Sequence, residues 1–427
     1  TERCQNWTGP RAAPTIQWSV LFDLDACPSD FGDQVSEPAP DTVERSHRGE
    51  PGRTAVQLVE GRVLLSASDL IGHLNCRHLT QLDLDVAHGK RTRPVRADPF
   101  LEALAERGRL HEQAYVDHLR TQGRTITEVG GKGFDTVAAQ DTVAAMKTGA
   151  DVIVQAAFLQ EGWGGRADIL LRVEKPSDLG SWSYEVADTK LAQETKGGTI
   201  LQLCLYSDLL SRIQGAAPEN AYVITPERGF EAQRYRIADF SAYYRRVKRL
   251  LQKTVDAQET ASTYPEPNPH CDVCRWNVQC DRKRRADDHL SLVAGISRGQ
   301  IRELQRREIP TTTGLANLTL PLSWKPDRGS VQSYVKIHHQ ARVQVAGREA
   351  GHILYEDLSV EPGLGLALLP EPSDGDVFFD LEGDPFVPGG GREFLFGYAF
   401  GRSATELTYE GQWCLTAADE KQAYDAF

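Results

Sequence analysis

The sequence predicts an α/β fold in which one mixed sheet is flanked by helices, and three observations carry that expectation. Three apolar segments, Val152 to Leu159, Arg166 to Val173 and Trp182 to Thr189, follow one another with only short breaks, Gly-rich at 161–165 and Pro/Ser/Asp/Gly-rich at 176–180. Runs of that length bounded by turn residues read as strands. Helical patterns enclose them: Asp98 can open a long helix through about Arg120, and Thr199 to Ile213 follows the third strand. Ala221 to Thr225 then reads as a fourth strand and Ile237 to Val255 as a long helix. Helix, three strands, helix, strand is an order that layers helices around one central sheet.

At 427 residues the chain is too long for one ordinary core, so two or three domains are expected. Residues 1–62 mix Pro, Gly, Ser and charges without sustained period, apart from an apolar patch at Trp18 to Leu24, and are expected to be disordered. Ser66-Ala67-Ser68-Asp69 can cap a helix running through Cys76, which opens a domain expected over residues 63–288. Residues 289–372 are expected to be a helical or linker region, with two short helices around Ile309-Pro310. A Pro/Gly-rich boundary near 361–375 leads to a buried strand at Asp376 to Leu381 and a second at Phe394 to Phe400, so residues 373–427 read as the start of another α/β domain. The chain begins at Thr1 and stops inside that domain, and a fragment is expected.

The net charge of −12 argues against a uniformly basic coat for nucleic acid and leaves room for a local basic groove. No apolar run approaches the roughly 18 to 20 residues of a membrane helix, and no basic start followed by an apolar stretch is found at the N-terminus, so a cytoplasmic protein without a membrane partner is expected. Eight cysteines, three of them within ten residues, point to metal rather than to a secreted disulfide framework. Gly-x-x-x-x-Gly-Lys-Ser/Thr is absent, so ATP hydrolysis by a P-loop is not expected.

The chemistry concentrates on Asp168 and on Asp188-Thr189-Lys190, at or near the ends of consecutive predicted strands. A hairpin can bring both carboxylates to one edge of the sheet. Two carboxylates and a backbone carbonyl are hard oxygen ligands suited to Mg²⁺ or Mn²⁺, which can activate water and neutralise a phosphate. Lys190, two residues after Asp188, shares its face of the strand. Alternation turns Glu185 away, so it reads as structural, while Glu194 near the site stays open. Upstream, Gly108-Arg109-Leu110-His111-Glu112 lies on the preceding helix, and Gly165-Arg166-Ala167-Asp168 on a strand. Downstream, Gln202-Leu203-Cys204-Leu205-Tyr206 lies on the next helix, where spacing i, i+4 gives Gln202 and Tyr206 one face.

That ordered series resembles the RecB-like nucleases of the PD-(D/E)xK superfamily, with the AddB and CRISPR-adaptation types, over about residues 64 to 285. The resemblance implies a restriction-endonuclease-like fold, with His111, Asp168, Asp188 and the Thr189 carbonyl as metal ligands. It further implies that Lys190 is catalytic and that Gln202 and Tyr206 form a QxxxY motif near the DNA strand.

Cys271-Asp272-Val273-Cys274 and then Cys280 give CxxC plus a third thiolate, after a Pro-rich extended run from Tyr264 to His270. The same resemblance supplies the fourth ligand from upstream, where Cys76 stands, and favours a 4Fe-4S cluster. Spacing alone leaves zinc open. His270 is a possible substitute ligand, Cys204 reads as core, and Cys4, Cys27 and Cys414 carry no pattern. Near the C-terminus, Asp380 and Glu382 place a DxE on a strand and resemble the start of a ribonuclease-H-like DEDD exonuclease, which implies two acidic metal ligands there. The order of parts resembles bacterial proteins that continue into a helicase. The expected activity is a metal-dependent nuclease on DNA single strands or ends, in repair or defence. The rivals are a non-catalytic nucleic-acid-binding module and a zinc-stapled ribonuclease.

Overall fold

The computed structural model describes residues 56–427 apart from 60, 97, 132, 193, 227–228, 258–262, 388–389 and 402–405. The expectation of disorder over residues 1–62 lies almost wholly outside the described residues, as do Cys4 and Cys27. A short antiparallel ribbon, β1 (Gln57–Val59) and β2 (Arg62–Leu64), precedes helices α1 (Ala67–Asn75), α2 (Arg77–Ala87) and α3 (Pro99–Thr121). Next come β3 (Ile126–Glu128), α4 (Thr136–Thr148), β4 (Val152–Gln160), β5 (Trp163–Val173), β6 (Ser183–Thr189) and α5 (Gly197–Gln214). β7 (Asn220–Ile224), β8 (Ala232–Arg236) and α6 (Ile237–Asp256) complete a six-stranded sheet of order β3-β4-β5-β6-β7-β8. The sheet is mixed, with β3–β4 and β6–β7 parallel and the other pairs antiparallel.

Local chemistry starts the helices where the sequence says. Ser66 and Asp69 form a capping box on α1, the Asp69 carboxylate accepting from Ser66 N at 2.8 Å. Asp98 caps α3 with Pro99 in its first turn. Strand alternation then sorts the core into two layers. Ile153, Leu170, Tyr184 and Val186 face one side, packed with Leu70, Met146, Leu205 and Leu251 from four helices. Val152, Val154, Ile169 and Ala187 face the other, under Tyr115, Val116 and Leu119 of α3. With both faces covered, all of β6 is buried, unlike a strand with one wet face. Lys248 and Tyr244 of α6 both reach Asp208 of α5, at 2.6 and 2.7 Å, and lock those helices together.

Beyond the sheet lie α7 (Asn277–Ala286), α8 (Arg298–Arg306), α9 (Thr312–Ala316) and α10 (Val331–Ala350). The 289–372 region is more than a linker, because Leu290, Leu304, Leu315, Tyr334 and Ala341 build a core of their own. A three-stranded antiparallel sheet, β9 (Val377–Asp384), β10 (Arg392–Phe400) and β11 (Thr408–Trp413), precedes α11 (Ala417–Ala426). The expectation that its first strand is buried is overturned: nearly all of β9 is exposed, Phe378 to 67%. α11 leans on β10 through Ala423 and Phe396 and leaves most of β9's side chains in solvent. Among the described residues no helix is long and apolar enough to cross a membrane.

One packing constraint links the sheet to α5. A Cβ on Gly165 would stand 2.7 Å from Tyr206 Cε1, and the ring is itself buried against Phe158. Gly165→Ala is expected to cost about 1–3 kcal/mol of stability through overpacking, read as a lower urea midpoint; an unchanged midpoint would show that the ring yields freely.

Candidate active site and thiol centre

Asp168 and Asp188 meet because β5 and β6 are antiparallel neighbours. Ile169 pairs with Ala187, so Asp168 and Asp188 are the next residues in register at that end of the ladder. Asp188 is 1% exposed. Its Oδ1 accepts from Gln202 Nε2 at 3.0 Å, which places the first residue of the i, i+4 pair on α5 directly against it. Lys190 Nζ stands 2.5 Å from Asp188 Oδ2 as an ion pair, so the buried oxygen is met by an ammonium. Asp168 Oδ2 accepts the Thr189 backbone N–H at 3.0 Å and the Thr189 hydroxyl at 3.3 Å. Thr189 therefore bridges the two strands.

The electrostatics follow from burial. Burial, and then the Asp168 charge, push the Asp188 carboxyl well above its ordinary value. Burial pulls the Lys190 ammonium down, but Asp188 and Asp168 more than offset it, so the amine is held charged above its usual range. Burial and then both aspartates drive the Tyr206 phenol strongly up, so it stays protonated beside them.

Two residues that the sequence reading did not assign belong to this site. Glu112 on α3 is pushed up to about 7 by burial and then by Asp168. It falls on the buried stripe of α3, three and four residues before Tyr115 and Val116, and an acid on an apolar stripe was the available signal. Gln155 interrupts the β4–β5 ladder opposite Asp168, with φ of +56° in the left-handed region. That conformation costs a non-glycine residue about 1 kcal/mol or more. It turns the Gln155 amide onto Glu112 Oε1 at 2.6 Å and its carbonyl onto Arg166 Nε at 3.0 Å. The rest of the Arg166 guanidinium gathers the carbonyls of Val129, Gly130, Gly131 and Gly133.

The other expected residues are placed as follows. His111 Nε2 lies 3.2 Å from the Ile224 carbonyl, and its ring stacks on Phe230; it makes no hydrogen bond or ion pair with either aspartate among the described residues. Glu185 accepts from the backbone of Glu219 and Asn220 and from Tyr222 at 2.8 Å, a structural role at the far end of β6. Glu194 is exposed. Asp380 and Glu382 lie two apart on exposed β9, and Asp380 accepts from the adjoining Leu381 N–H. The third acid of that run, Asp384, is taken by the Arg107 guanidinium at 2.9 and 2.7 Å.

Cys76, at the junction of α1 and α2, lines one cavity of about 20 Å³ with Cys271, Cys274 and Cys280, so residues 195 positions apart in sequence are gathered together. All four are free thiols. Burial, and then its three neighbours' charges, push the Cys280 thiol up to about 11. Such thiols ionise readily only when a cation compensates them. Contacts independent of sulfur hold the same place: Trp276, fully buried, donates to Asp83 at 3.3 Å, and His78 meets Thr263 at 2.8 Å. Cys204 is core. Among the described residues, no group of three or more His, Cys, Asp or Glu side chains is already arranged as a metal site. The chemistry of the donors nonetheless fits two different ions: the hard oxygens of Asp168 and Asp188, and four soft thiols at Cys76.

No protein-family model matches the chain, and no curated protein matches it. Among solved structures, one described as the crystal structure of SSO0001 is 16% identical, aligned over 51% of this chain and 85% of its own, with a TM-score of 0.24.

Two expectations follow. Glu112, Asp168 and Asp188 repel one another with Lys190 as the main compensating charge, so Mg²⁺ or Mn²⁺ is expected to raise the melting temperature. Glu112→Gln is expected to raise it without cation, by roughly 2–4 °C for about 1 kcal/mol after solvent screening, and to shrink the cation-induced shift. A variant that melts below wild type in metal-free buffer would overturn this account. At the thiol centre, Cys76→Ser and Cys274→Ser are expected to lose iron or zinc equally while Cys204→Ser retains it, as read by metal content per chain; retention by Cys76→Ser would remove Cys76 from the set.

Proposed function

We propose that this chain is a metal-dependent nuclease of the RecB-like PD-(D/E)xK type, hydrolysing phosphodiester bonds in DNA single strands or ends. The observation that carries the reading is the buried Asp188 carboxylate, set in register beside Asp168 and met by the Lys190 ammonium. Two carboxylates gathered where water is scarce, against one ammonium, leave negative charge that a further cation would offset.

Asp168, Asp188 and the Thr189 carbonyl would hold Mg²⁺ or Mn²⁺, with His111 added by the resemblance and Glu112 by its place against Asp168. When bound, the ion supplies Lewis acidity, lowering the pKa of water and neutralising phosphate charge. Lys190 holds the phosphate or the attacking water, its ammonium kept charged by the two aspartates. Gln202 fixes the rotamer of Asp188, and the Tyr206 phenol, kept protonated, is a donor for the strand. The four thiols would hold a 4Fe-4S cluster, or zinc, that staples the fold without taking part in the chemistry. Residues 373–427 would belong to a ribonuclease-H-like domain with Asp380 and Glu382 among its acids, and the activity would serve repair or defence alongside a helicase. A local basic surface supports a nucleic-acid partner despite the acidic sum: Arg245, Arg246, Arg249 and Lys253 are all exposed on α6.

One observation favours a second reading, a non-catalytic nucleic-acid-binding module: His111 is engaged by the Ile224 carbonyl and Phe230. Cleavage separates the two. The purified protein is expected to cut labelled DNA in Mg²⁺ or Mn²⁺ and to leave RNA intact. Asp188→Ala and Lys190→Ala are each expected to lower the rate by roughly 10²–10³ or more while keeping the melting temperature within a few degrees. Wild-type rates from Asp188→Ala would exclude this site as the source of the activity.

A further inference from the structure

A cleft of about 590 Å³ opens between the α1–α2 junction, the extended segment Thr263 to Asn268, and α8. Its walls carry three arginines, Arg77 on one side and Arg298 and Arg302 on the other, with the amides of Asn75 and Asn268 and a single carboxylate, Glu266. Arg298 and Arg302 are four apart on α8 and share a face. In a chain of net charge −12, three guanidiniums against one acid is a local reversal. The reversal is selective within one helix. Arg306 and the adjoining Arg307 pair with Asp327 and Glu303, whereas the guanidiniums of Arg77 and Arg302 make no hydrogen bond or ion pair among the described residues. Arg298 gives one N–H to the Pro267 carbonyl at 2.8 Å and keeps the rest of its fork.

Like charges gathered around one cleft repel unless an anion joins them. All three arginines are exposed on the rim and none is sunk into a closed pocket. A small anion calls for converging, enclosed donors. Spaced guanidiniums along an open trough instead suit successive phosphates, each taken by a fork of N–H groups with water beside it.

We propose that this cleft binds the phosphodiester backbone of a single nucleic-acid strand, with Arg77, Arg298 and Arg302 as phosphate contacts. The choice of nucleic acid as the polyanion rests on the nuclease reading; the cleft deepens it by giving the strand a second holding point away from Asp168 and Asp188. The cleft also reaches Cys76, so a strand seated there touches the junction that the thiols close.

The test is fluorescence anisotropy of a labelled twelve-nucleotide oligothymidylate with the whole chain, in buffer without divalent ions, between 50 and 200 mM salt. Arg77→Gln with Arg302→Gln is expected to weaken binding about tenfold and to flatten the log–log salt slope by about 1.4, the share of two phosphates on a single strand. Neither side chain holds the fold, so the melting temperature is expected to stay put; Arg306→Gln, a paired arginine of the same helix, is the control and is expected to bind like wild type. Wild-type affinity in the double variant overturns the proposal. So does an equal loss in Arg306→Gln, or trinucleotide binding as tight as the twelve-mer, which would mark a small-anion site. Cleavage in Mg²⁺ is scored separately. Absent cleavage with the arginine effect intact would sink the nuclease reading and leave the cleft, while Asp188-dependent cleavage with no arginine effect would do the reverse.

Discussion

Two carboxylates held in register in the buried part of a sheet are the constraint around which this molecule is arranged. Asp168 and Asp188 come together only because β5 and β6 are antiparallel neighbours, and both faces of that sheet are covered. Desolvation and mutual repulsion make the arrangement unfavourable by itself. The surrounding residues supply what compensation protein groups can: Lys190 as a cation, Thr189 and Gln202 as donors. Glu112 adds a third acid from α3. Negative charge concentrated where water is scarce destabilises the fold unless a counter-charge joins it, which is why this corner and not the wider acidic surface is read as a candidate site.

The neighbouring backbone is shaped to the same end. Gly165 lets the Tyr206 ring approach β5 closely, where any Cβ would collide with it. Gln155 abandons the strand conformation opposite Asp168, and its amide reaches Glu112 while its carbonyl anchors Arg166. Strain of that kind persists only where surrounding contacts over-determine it, and here Arg166 holds five carbonyls at once.

Much of this was legible in the sequence because strand alternation is a simple rule. It puts Asp188 and Lys190 on one face and Glu185 on the other, and Glu185 does bind backbone donors at the opposite end of β6. The capping residues Ser66 and Asp98 and the long helices α3, α5 and α6 were legible for the same local reasons. What escaped had no local signature. A left-handed glutamine inside a strand looks like any other glutamine. α10 was missed because Val331, Val335, Ile337, Val343 and Val345 favour strands, and only the buried spacing of Tyr334, Ile337, His338, Ala341 and Val345 makes it a helix. β8 carries Arg234 and Arg236 on the sheet's edge, where charge blunts pairing with other chains but hides the strand from a search for apolar runs. β9 looked buried by composition; its exposure is set by what packs on it, which no single segment encodes.

The thiol set raises a different question, since Cys76 and Cys271 close a loop of nearly two hundred residues. Fixing such ends together costs about 5 kcal/mol of chain entropy by the logarithmic rule, and that cost falls on whatever contacts hold them. Trp276 on Asp83 and His78 on Thr263 already span the closure without sulfur. The thiols therefore need not create the junction, only tighten it. A ligand bound to Cys76, Cys271, Cys274 and Cys280 would act on the sheet through α1, whose Leu70 is buried in the same core as Tyr184 and Leu205. By that route the closure bears on the strands that carry Asp168 and Asp188 without touching either.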